Sequence, residues 1–208
     1  MNKIAIVFAV ILFSLTACHP IKKPTVTIQT EMGDIVVELY PNQAPYTVYN
    51  FLKYVDENRY NGATFYRTVT MSNQPGDSIK IEVIQGGLYE DNHPQALPPI
   101  NHETTKTTGI KHLDGTISMA RNEPGTATSE FFICIGAQPE LDYGGKRNPD
   151  GRGFAAFGRV IEGMDVVRAI HNSPAKGQML TPRIKILGMK GNREQLLKIF
   201  ENWVPEEK

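Results

Sequence analysis

Hydrophobic and polar residues alternate along much of the chain after residue 24, in short runs that turn-forming residues separate. The segment TVTIQTEMGDIVVELYP alternates, breaks at EMGD and then resumes, which predicts a β-hairpin. Further runs rich in β-branched and aromatic residues have the composition of strands; they are residues 63–71, 79–87, 115–122, 129–136, 154–161 and 183–190. The pattern therefore predicts a mainly β fold.

Two other segments show the periodicity of helices. In NQAPYTVYNFLKYVDENRYNG, the residues Val48, Phe51, Leu52 and Val55 recur at helical spacing, and Gly62 follows the end. The second segment is GMDVVRAIHN. Many short strands with two separated helices predict a closed or nearly closed β-barrel that the helices cap.

The C-terminal segment, residues 191–208, has the pattern of a further helix. Asn192, with Gln195 three residues later, resembles a capping box. The apolar residues that follow form one broad face: Leu196, Leu197, Ile199, Phe200 and Trp203. We expect this helix to pack on the barrel, and binding of a partner protein is the alternative.

The N-terminus has the pattern of an export signal. Lys3 precedes a continuous apolar run, residues 4–15, which is too short to span a bilayer comfortably and is typical of a signal peptide. The run leads to LTAC, which resembles the bacterial lipoprotein box, so residues 1–17 are the predicted signal peptide and Cys18 the lipidated residue. An ordinary secretory signal is the alternative. Residues 18–24 are then a short tether, and the absence of aspartate after Cys18 favours the outer membrane in a Gram-negative cell.

Composition and charge exclude several classes of function. The chain has 208 residues, and its 22 Lys and Arg residues balance 22 Asp and Glu residues, which argues against an electrostatic nucleic-acid binder. Cys134 lies in the apolar run FFICIG, where a small buried hydrophobic residue is expected. The histidines match no metal-ligand spacing, and phosphate-binding and dinucleotide motifs are absent from the sequence, so we expect neither metal nor cofactor.

One predicted strand, TFYRTVTM, carries an arginine among aromatic and β-branched residues. Strict alternation puts Arg67 on the same face as Phe65 and Val69, where an unpaired guanidinium is costly. The residue types allow two interpretations. Arg67 is either a structural arginine paired with a carboxylate such as Glu82 or Glu130, or a charge that a functional groove uses.

The order of these segments resembles the cyclophilin family of peptidyl-prolyl cis-trans isomerases. The matching blocks are QAPYTVYNFLKYVDENRYNGATFYRTV, IQGG, GTISMAR, SEFFICIG, LDYGG, FAAFGRVIEGMDVV and TPRIKILG. The resemblance runs from about Thr25 to Gly188 and implies a closed eight-stranded antiparallel β-barrel capped by two helices. It makes residues 25–190 the domain and residues 191–208 a C-terminal helical extension.

The resemblance also implies the site residues. Arg67 falls on the family's catalytic arginine, Gln85 on its active-site glutamine and Phe132 on the floor for the proline ring. The positions that line the groove or the proline pocket are Val83, Met119, Ala120, Arg121 and Leu141. Phe131, next to Phe132, falls on a family position that is mainly structural. Alternation by itself says only that one of the two rings reaches the groove.

Three acidic residues depart from the family pattern. Glu82 stands where the family commonly has an aromatic residue on the pocket wall, and Glu130 stands where a glutamine is usual. We still predict that both contact the substrate. Glu140 replaces the tryptophan common in animal members, which predicts weak binding of cyclosporin.

The sequence thus predicts an isomerase of X-Pro bonds that assists the folding of exported proteins at the cell envelope. We expect a monomer, held on the periplasmic side of a bacterial membrane by its N-terminal lipid, with proline-containing segments as its partners and no nucleic acid. The alternative is a cyclophilin-like module that captures such segments as a chaperone or scaffold, with little or no turnover. Glu82 and Glu140 favour capture, whereas the presence of Arg67, Gln85 and Phe132 together favours catalysis.

Overall fold

The computed structural model describes residues 23–90 and 93–192. The predicted signal peptide, the lipidation site Cys18 and the predicted C-terminal helix lie outside these residues. In the described part of the chain, no helix combines the length and the apolar character that crossing a membrane requires.

A closed antiparallel β-barrel forms the body of the domain, which confirms the predicted fold class. In chain order the strands are β1 (Thr25–Thr30), β2 (Gly33–Leu39), β3 (Thr64–Val69), β4 (Val83–Gly87), β5 (Thr116–Met119), β6 (Phe131–Cys134), β7 (Ala155–Glu162), β8 (Ala175–Lys176) and β9 (Met179–Gly191). The barrel consists of all of these except β8, in the order β1-β2-β7-β5-β6-β4-β3-β9, and β9 pairs with β1 to close it. Closure leaves these strands without the unpaired edge that an open sheet exposes.

The short strand β8 was not expected from the sequence. It pairs with the start of β9, where Ala175 lies opposite Leu180 and Lys176 opposite Met179. As a result, β9 begins at Met179, four residues before the predicted start at residue 183. A strand of two residues is too short to show alternation, and Gly177 beside it indicates only a turn.

Helices α1 (Pro45–Asp56) and α3 (Met164–His171) confirm the two predicted helices. A single helical turn, α2 (Thr105–Thr108), and a 3₁₀ turn, Pro139–Leu141, interrupt segments predicted as loops. Helix α1 packs against β7 and β9, and α3 packs against β2, β3 and β4. The two long helices therefore cover the barrel, as predicted.

The barrel core is built around Phe51 of α1. Its ring lies 5.7 Å from that of Tyr60, 5.8 Å from that of Phe131 and 5.1 Å from that of Phe157. These tilted and edge-on contacts are the geometries that aromatic pairs prefer. Because α1 enters the same core as β6, the position of the helix is coupled to a strand that also lines the functional cleft.

Helix α1 begins without a capping side chain of its own, since Ala44 precedes it. Glu103, from a distant loop, supplies the acceptor. Its Oε2 accepts hydrogen bonds from the Thr47 backbone N–H at 2.8 Å and the Thr47 hydroxyl at 2.6 Å, and its Oε1 accepts from the Tyr46 N–H at 3.3 Å. A carboxylate at a helix N-terminus also opposes the positive end of the helix dipole.

We predict that Glu103→Ala lowers the free energy of unfolding by roughly 1–3 kcal/mol, because it leaves two N–H groups at the helix start without this acceptor. Urea titration followed by circular dichroism measures the change. The control is Glu90→Ala, at an exposed carboxylate, with an expected change below about 0.5 kcal/mol. Equal effects of the two substitutions would show that Glu103 does not anchor α1.

Candidate active site

A β-bulge in β3 turns Arg67 away from the barrel core. Phe65 lies opposite Gly86 of β4, and Arg67 lies opposite the next residue of β4, so Tyr66 is an extra residue without a counterpart. Phe65 packs in the core, whereas Val69 belongs to a separate apolar cluster on the outer face. The prediction that Arg67 shares a face with Phe65 is therefore wrong, since the bulge interrupts strict alternation, and Val69 is its actual neighbour on that face.

The outer apolar cluster forms the floor of a cleft. Its buried members come from β3, β4, β6 and the loops beside them, and they are Val69, Ile81, Val83, Phe132, Cys134 and Leu141. Ala120 and Phe154 pack against them. Phe131 points into the barrel core instead, so the prediction that only one of the two adjacent rings reaches the cleft is confirmed. Cys134 is buried as expected, and burial raises the pKa of its thiol.

The cleft has a volume of about 370 Å³ and brings together most of the predicted site residues. Those that line it are Arg67, Val83, Gln85, Ala120, Arg121, Glu130, Phe132 and Leu141. Further lining residues that the sequence did not indicate include Tyr66, Ile81, Tyr89, Arg147 and Phe154.

Two predicted contact positions, Met119 and Glu82, do not bring their side chains to the cleft. Met119 is the last residue of β5 and packs in the barrel core with Ile117, because residues two apart on a strand share a face. Glu82 lies between Ile81 and Val83, which both face the cleft, so its own side chain points the other way. Ile81 thus stands on the pocket wall where Glu82 was predicted.

The loop before β4 fixes Ile81 through one buried glutamine. The Gln74 amide donates to the Ile81 carbonyl at 2.8 Å and to the Thr70 carbonyl at 2.7 Å, and its Oε1 accepts from the Ile81 N–H at 3.2 Å. Gln74 lies in the polar insert SNQPGDS, whose sequence resembles an exposed loop. The insert therefore supports the pocket wall from behind, because Gln74 fixes the backbone of Ile81, the residue that faces the cleft.

The Arg67 guanidinium lies between two glutamine side chains. Its Nη1 donates to Gln85 Oε1 at 2.8 Å, and its Nε and Nη2 both donate to Gln178 Oε1, at 2.9 and 2.5 Å. The Gln85 amide in turn donates to the Tyr66 hydroxyl at 2.6 Å. Gln85 therefore holds the arginine.

In the described part of the chain, neither Glu82 nor Glu130 forms an ion pair with Arg67. The interpretation of Arg67 as a structural arginine paired with one of these carboxylates is therefore wrong. Glu130 Oε1 instead accepts hydrogen bonds from the Tyr89 N–H at 2.9 Å and the Ser129 hydroxyl at 3.0 Å. Burial lowers the pKa of Arg67 from its usual value, but a guanidinium stays charged in proteins.

Arg121 is held by the loop after the 3₁₀ turn. Its Nη1 and Nη2 form a two-point ion pair with Asp150, at 2.8 and 3.0 Å, and its Nε donates to the Gly153 carbonyl at 2.9 Å. The guanidinium also lies 5.3 Å from the centre of the Phe154 ring. These contacts hold the guanidinium of Arg121, which the sequence predicts as a contact residue. They also fix the ring of Phe154, which borders Phe132.

The ring of Phe132 is supported from two sides. Phe154 meets it edge-on at 5.3 Å, and the imidazole of His112 stacks on it at 5.8 Å with 16° between the planes. His112 is fixed by Asp142 Oδ1 at 2.8 Å from Nδ1 and by the Ser118 hydroxyl at 3.0 Å from Nε2. Because a carboxylate only accepts, Nδ1 carries the proton and Nε2 accepts from Ser118.

Comparisons with known proteins agree with the resemblance found in the sequence. The family model for the cyclophilin type peptidyl-prolyl cis-trans isomerase matches residues 25–191. A peptidyl-prolyl cis-trans isomerase of Acinetobacter baylyi is 36% identical over 177 residues, which cover 84% of this chain and 84% of the relative. The chain belongs to the cyclophilin family.

Other relatives and a solved structure are consistent with this assignment. Peptidyl-prolyl cis-trans isomerase B of Escherichia coli is 36% identical over 148 residues, covering 70% of this chain and 82% of the relative. The crystal structure of a cyclophilin type peptidyl-prolyl cis-trans isomerase of Cryptosporidium parvum superposes with a TM-score of 0.63 at 22% identity, over 82% of this chain and 98% of that one. At this identity, the superposition shows the fold.

The cleft of this cyclophilin suits the rotation of a peptidyl-prolyl bond. The bond resists rotation because the nitrogen lone pair is delocalised into the carbonyl, with a barrier of about 18–20 kcal/mol. In the twisted state the lone pair returns to the nitrogen, and a fixed N–H donor such as the Arg67 guanidinium can hydrogen-bond it. Phe132 and its apolar neighbours offer an apolar surface on which a proline ring can pack.

We predict that Ile81→Ala raises KM for an X-Pro peptide about 5- to 30-fold, since it removes apolar wall worth roughly 1–2 kcal/mol. The control is Glu82→Ala, at the neighbour that faces away from the cleft, with an expected change below about twofold. Steady-state isomerisation kinetics of both variants, with circular dichroism to verify folding, measure the difference. A larger effect of Glu82→Ala would restore Glu82 to the pocket wall.

The buried His112 predicts a pH dependence of stability. Its pKa in the folded protein is lowered from 6.5, first by burial, while Asp142 acts in the opposite direction. Below pH 6.5 the unfolded chain binds the proton more readily than the folded one, so this histidine reduces stability progressively as pH falls from 6.5 towards the lowered pKa. Above pH 6.5 the imidazole is neutral in both states and the effect is absent.

Between pH 7.5 and pH 5, the free energy of unfolding should therefore decline less for His112→Gln than for the native chain, because the variant has roughly one titrating group less. Urea titrations at several pH values measure both slopes. Parallel slopes would show that His112 does not contribute to the acid sensitivity of the domain.

Proposed function

We propose that this cyclophilin isomerises X-Pro bonds in exported proteins while a lipid at Cys18 holds it on a bacterial membrane. The observation that carries the proposal is the leader MNKIAIVFAVILFSLTAC, which only a short tether separates from the domain. It combines an early lysine, a short apolar run and a cysteine in the lipoprotein pattern. One acyl chain gives only marginal anchoring, whereas two or more give a stable attachment.

The proposed anchor would hold the cleft close to the membrane. Residues 18–24 separate the lipid from β1, and seven residues reach at most about 25 Å when fully extended. A monomer in this position would act on segments that emerge at the envelope surface, on the periplasmic side of the outer membrane if the cell is Gram-negative. Its partners would be proline-containing segments, which fit the apolar floor of the cleft.

Catalysis fits the cleft better than capture without turnover. Accelerating a process of about 0.01 per second to about 10–100 per second requires roughly 4–5.5 kcal/mol. A charge-assisted hydrogen bond from Arg67, strengthened in a partly desolvated cleft, together with apolar packing on Phe132, is of the right size. Of the two acids that favoured capture, Glu82 does not line the cleft, and neither does Glu140.

We predict that Cys18→Ser moves the protein from the membrane fraction to the soluble fraction of cells that export it. The substitution removes the thiol to which a lipid attaches. Fractionation with immunoblotting, together with metabolic labelling by an alkyne fatty acid, measures anchoring and acylation. The control is Cys134→Ser, which should keep the label.

Two results would contradict the anchor. One is a Cys18→Ser protein that stays in the membrane fraction and retains the fatty-acid label. The other is a native mature protein that begins at a residue other than Cys18, as an ordinary secretory signal would give. Neither result bears on isomerase activity, which is measured separately with a soluble X-Pro peptide.

A further inference from the structure

We propose that Gln178 is a positioning residue for the isomerase reaction, acting through Arg67. Gln178 lies in the turn between β8 and β9, far from Arg67 in sequence. Its single Oε1 atom accepts from both Nε and Nη2 of the guanidinium, at 2.9 and 2.5 Å. Gln178 does not itself line the cleft, so it would influence the substrate only through the arginine.

The orientation of the Gln178 amide follows from its second partner. Its Nε2 donates to the backbone carbonyl of Asn73, at 3.2 Å, and a carbonyl can only accept. Oε1 must therefore face the guanidinium, which can only donate. The amide thus has one consistent arrangement, with its acceptor atom towards Arg67.

Asn73, which supplies that carbonyl, is itself held by side-chain hydrogen bonds. Its Oδ1 accepts from the Thr70 N–H at 2.8 Å, and its Nδ2 donates to the carbonyls of Thr68 and Gly177, at 3.0 and 3.1 Å. Asn73 belongs to the insert SNQPGDS. The insert that places Ile81 on the pocket wall therefore also orients Gln178.

Counting donors shows what Gln178 leaves for the substrate. A guanidinium has five N–H groups in one plane. Gln178 accepts from Nε and Nη2, and Gln85 accepts from Nη1, which uses three of the five. One N–H on Nη1 and one on Nη2 remain without a partner in the described part of the chain. These are the donors that would meet the prolyl nitrogen or its neighbouring carbonyl.

The neutrality of Gln178 matters as much as its position. The other two arginines that line the cleft face carboxylates: Arg121 pairs with Asp150, and Arg147 Nη1 lies 3.1 Å from Asp77. Arg67 is held by amide oxygens instead, and among the residues that the structure describes no direct partner neutralises its charge. Because the hydrogen bond to the twisted peptide depends on that charge, a carboxylate at position 178 would weaken catalysis by neutralising it, and it would also lose the bond that the amide donates to the Asn73 carbonyl.

The side chain of Gln178 can be changed without removing the backbone bonds of its turn. The Gln178 carbonyl accepts from the Thr68 N–H at 2.9 Å, and Arg67 lies opposite Met179 in the pairing of β3 with β9. These contacts persist when the amide is replaced. A loss of activity can then be separated from a loss of fold.

The test is a double-mutant cycle on the full chain in detergent, with an X-Pro peptide as substrate. The variants are Gln178→Leu, Arg67→Ala and the pair. We expect Gln178→Leu to lower kcat at least about tenfold and to change KM less than about twofold. In the Arg67→Ala background the same substitution should change kcat less than about twofold, because its effect passes through the arginine.

A charge substitution provides the second arm. Gln178→Glu keeps the size of the side chain and its acceptor atom, and it should also lower kcat about tenfold. The control is Gln43→Glu, the same change at an exposed position, which should leave kcat unchanged. This arm decides the question if Gln178→Leu fails to fold by circular dichroism. Native kcat in Gln178→Glu would overturn the proposal, as would equal effects of Gln178→Leu in both backgrounds.

The inference rests on catalysis by Arg67, and the cycle separates the two claims. If Arg67→Ala retains native activity, the catalytic role of the arginine fails, and the role of Gln178 fails with it. If Arg67→Ala loses activity but Gln178→Leu does not, the arginine remains catalytic and only the positioning role is overturned.

Discussion

The cleft depends on a positive charge that is held firmly without being neutralised. Removing a guanidinium from water is costly, and most proteins offset the cost with a carboxylate. Here two glutamine oxygens accept from Arg67, and each amide is fixed by a further partner, the Tyr66 hydroxyl for Gln85 and the Asn73 carbonyl for Gln178. Arg67 therefore keeps both its position and its charge, which are the two properties that stabilisation of a twisted prolyl bond requires.

The barrel serves this arrangement by separating two apolar layers. Adjacent residues on β6 point in opposite directions, so Phe131 completes the core while Phe132 forms the floor of the cleft. The bulge at Tyr66 does the same for β3, since it leaves Phe65 inside and brings Arg67 outside. At Gly86, a Cβ would lie 2.9 Å from the Phe65 ring and from the Thr64 carbonyl, so glycine permits β4 to approach the bulge. The strands thus present a reactive outer face without opening the core.

Much of the fold could be predicted because it follows from periodicity. The hairpin of β1 and β2, the helices α1 and α3, and the opposite orientations of Phe131 and Phe132 all depend on alternation or helical spacing. The identity of Arg67, Gln85 and Phe132 as cleft residues came from the order of family motifs. What escaped prediction depends on contacts between distant segments.

The bulge at Tyr66 shows why, since it inserts one residue into a strand whose sequence contains no glycine or proline to mark it. Ile81 replaces Glu82 on the pocket wall because Gln74 of the insert fixes the Ile81 backbone beside β4, with residues 81 and 83 on the same face. Gln178 meets Arg67 only after β9 closes the barrel beside β3, and its turn sequence carries no signal of that contact. Such residues emerge from tertiary pairing, which a single sequence does not display.

The most direct measurement is the rate of cis-to-trans isomerisation of a short X-Pro peptide by the chain from Ile21 onward, native and with Arg67→Ala. The account predicts acceleration by the native protein and a loss of at least about tenfold in the variant, at comparable thermal stability. If the native protein bound the peptide without accelerating isomerisation, or if the variant were equally active, the central role given to the Arg67 charge would be contradicted.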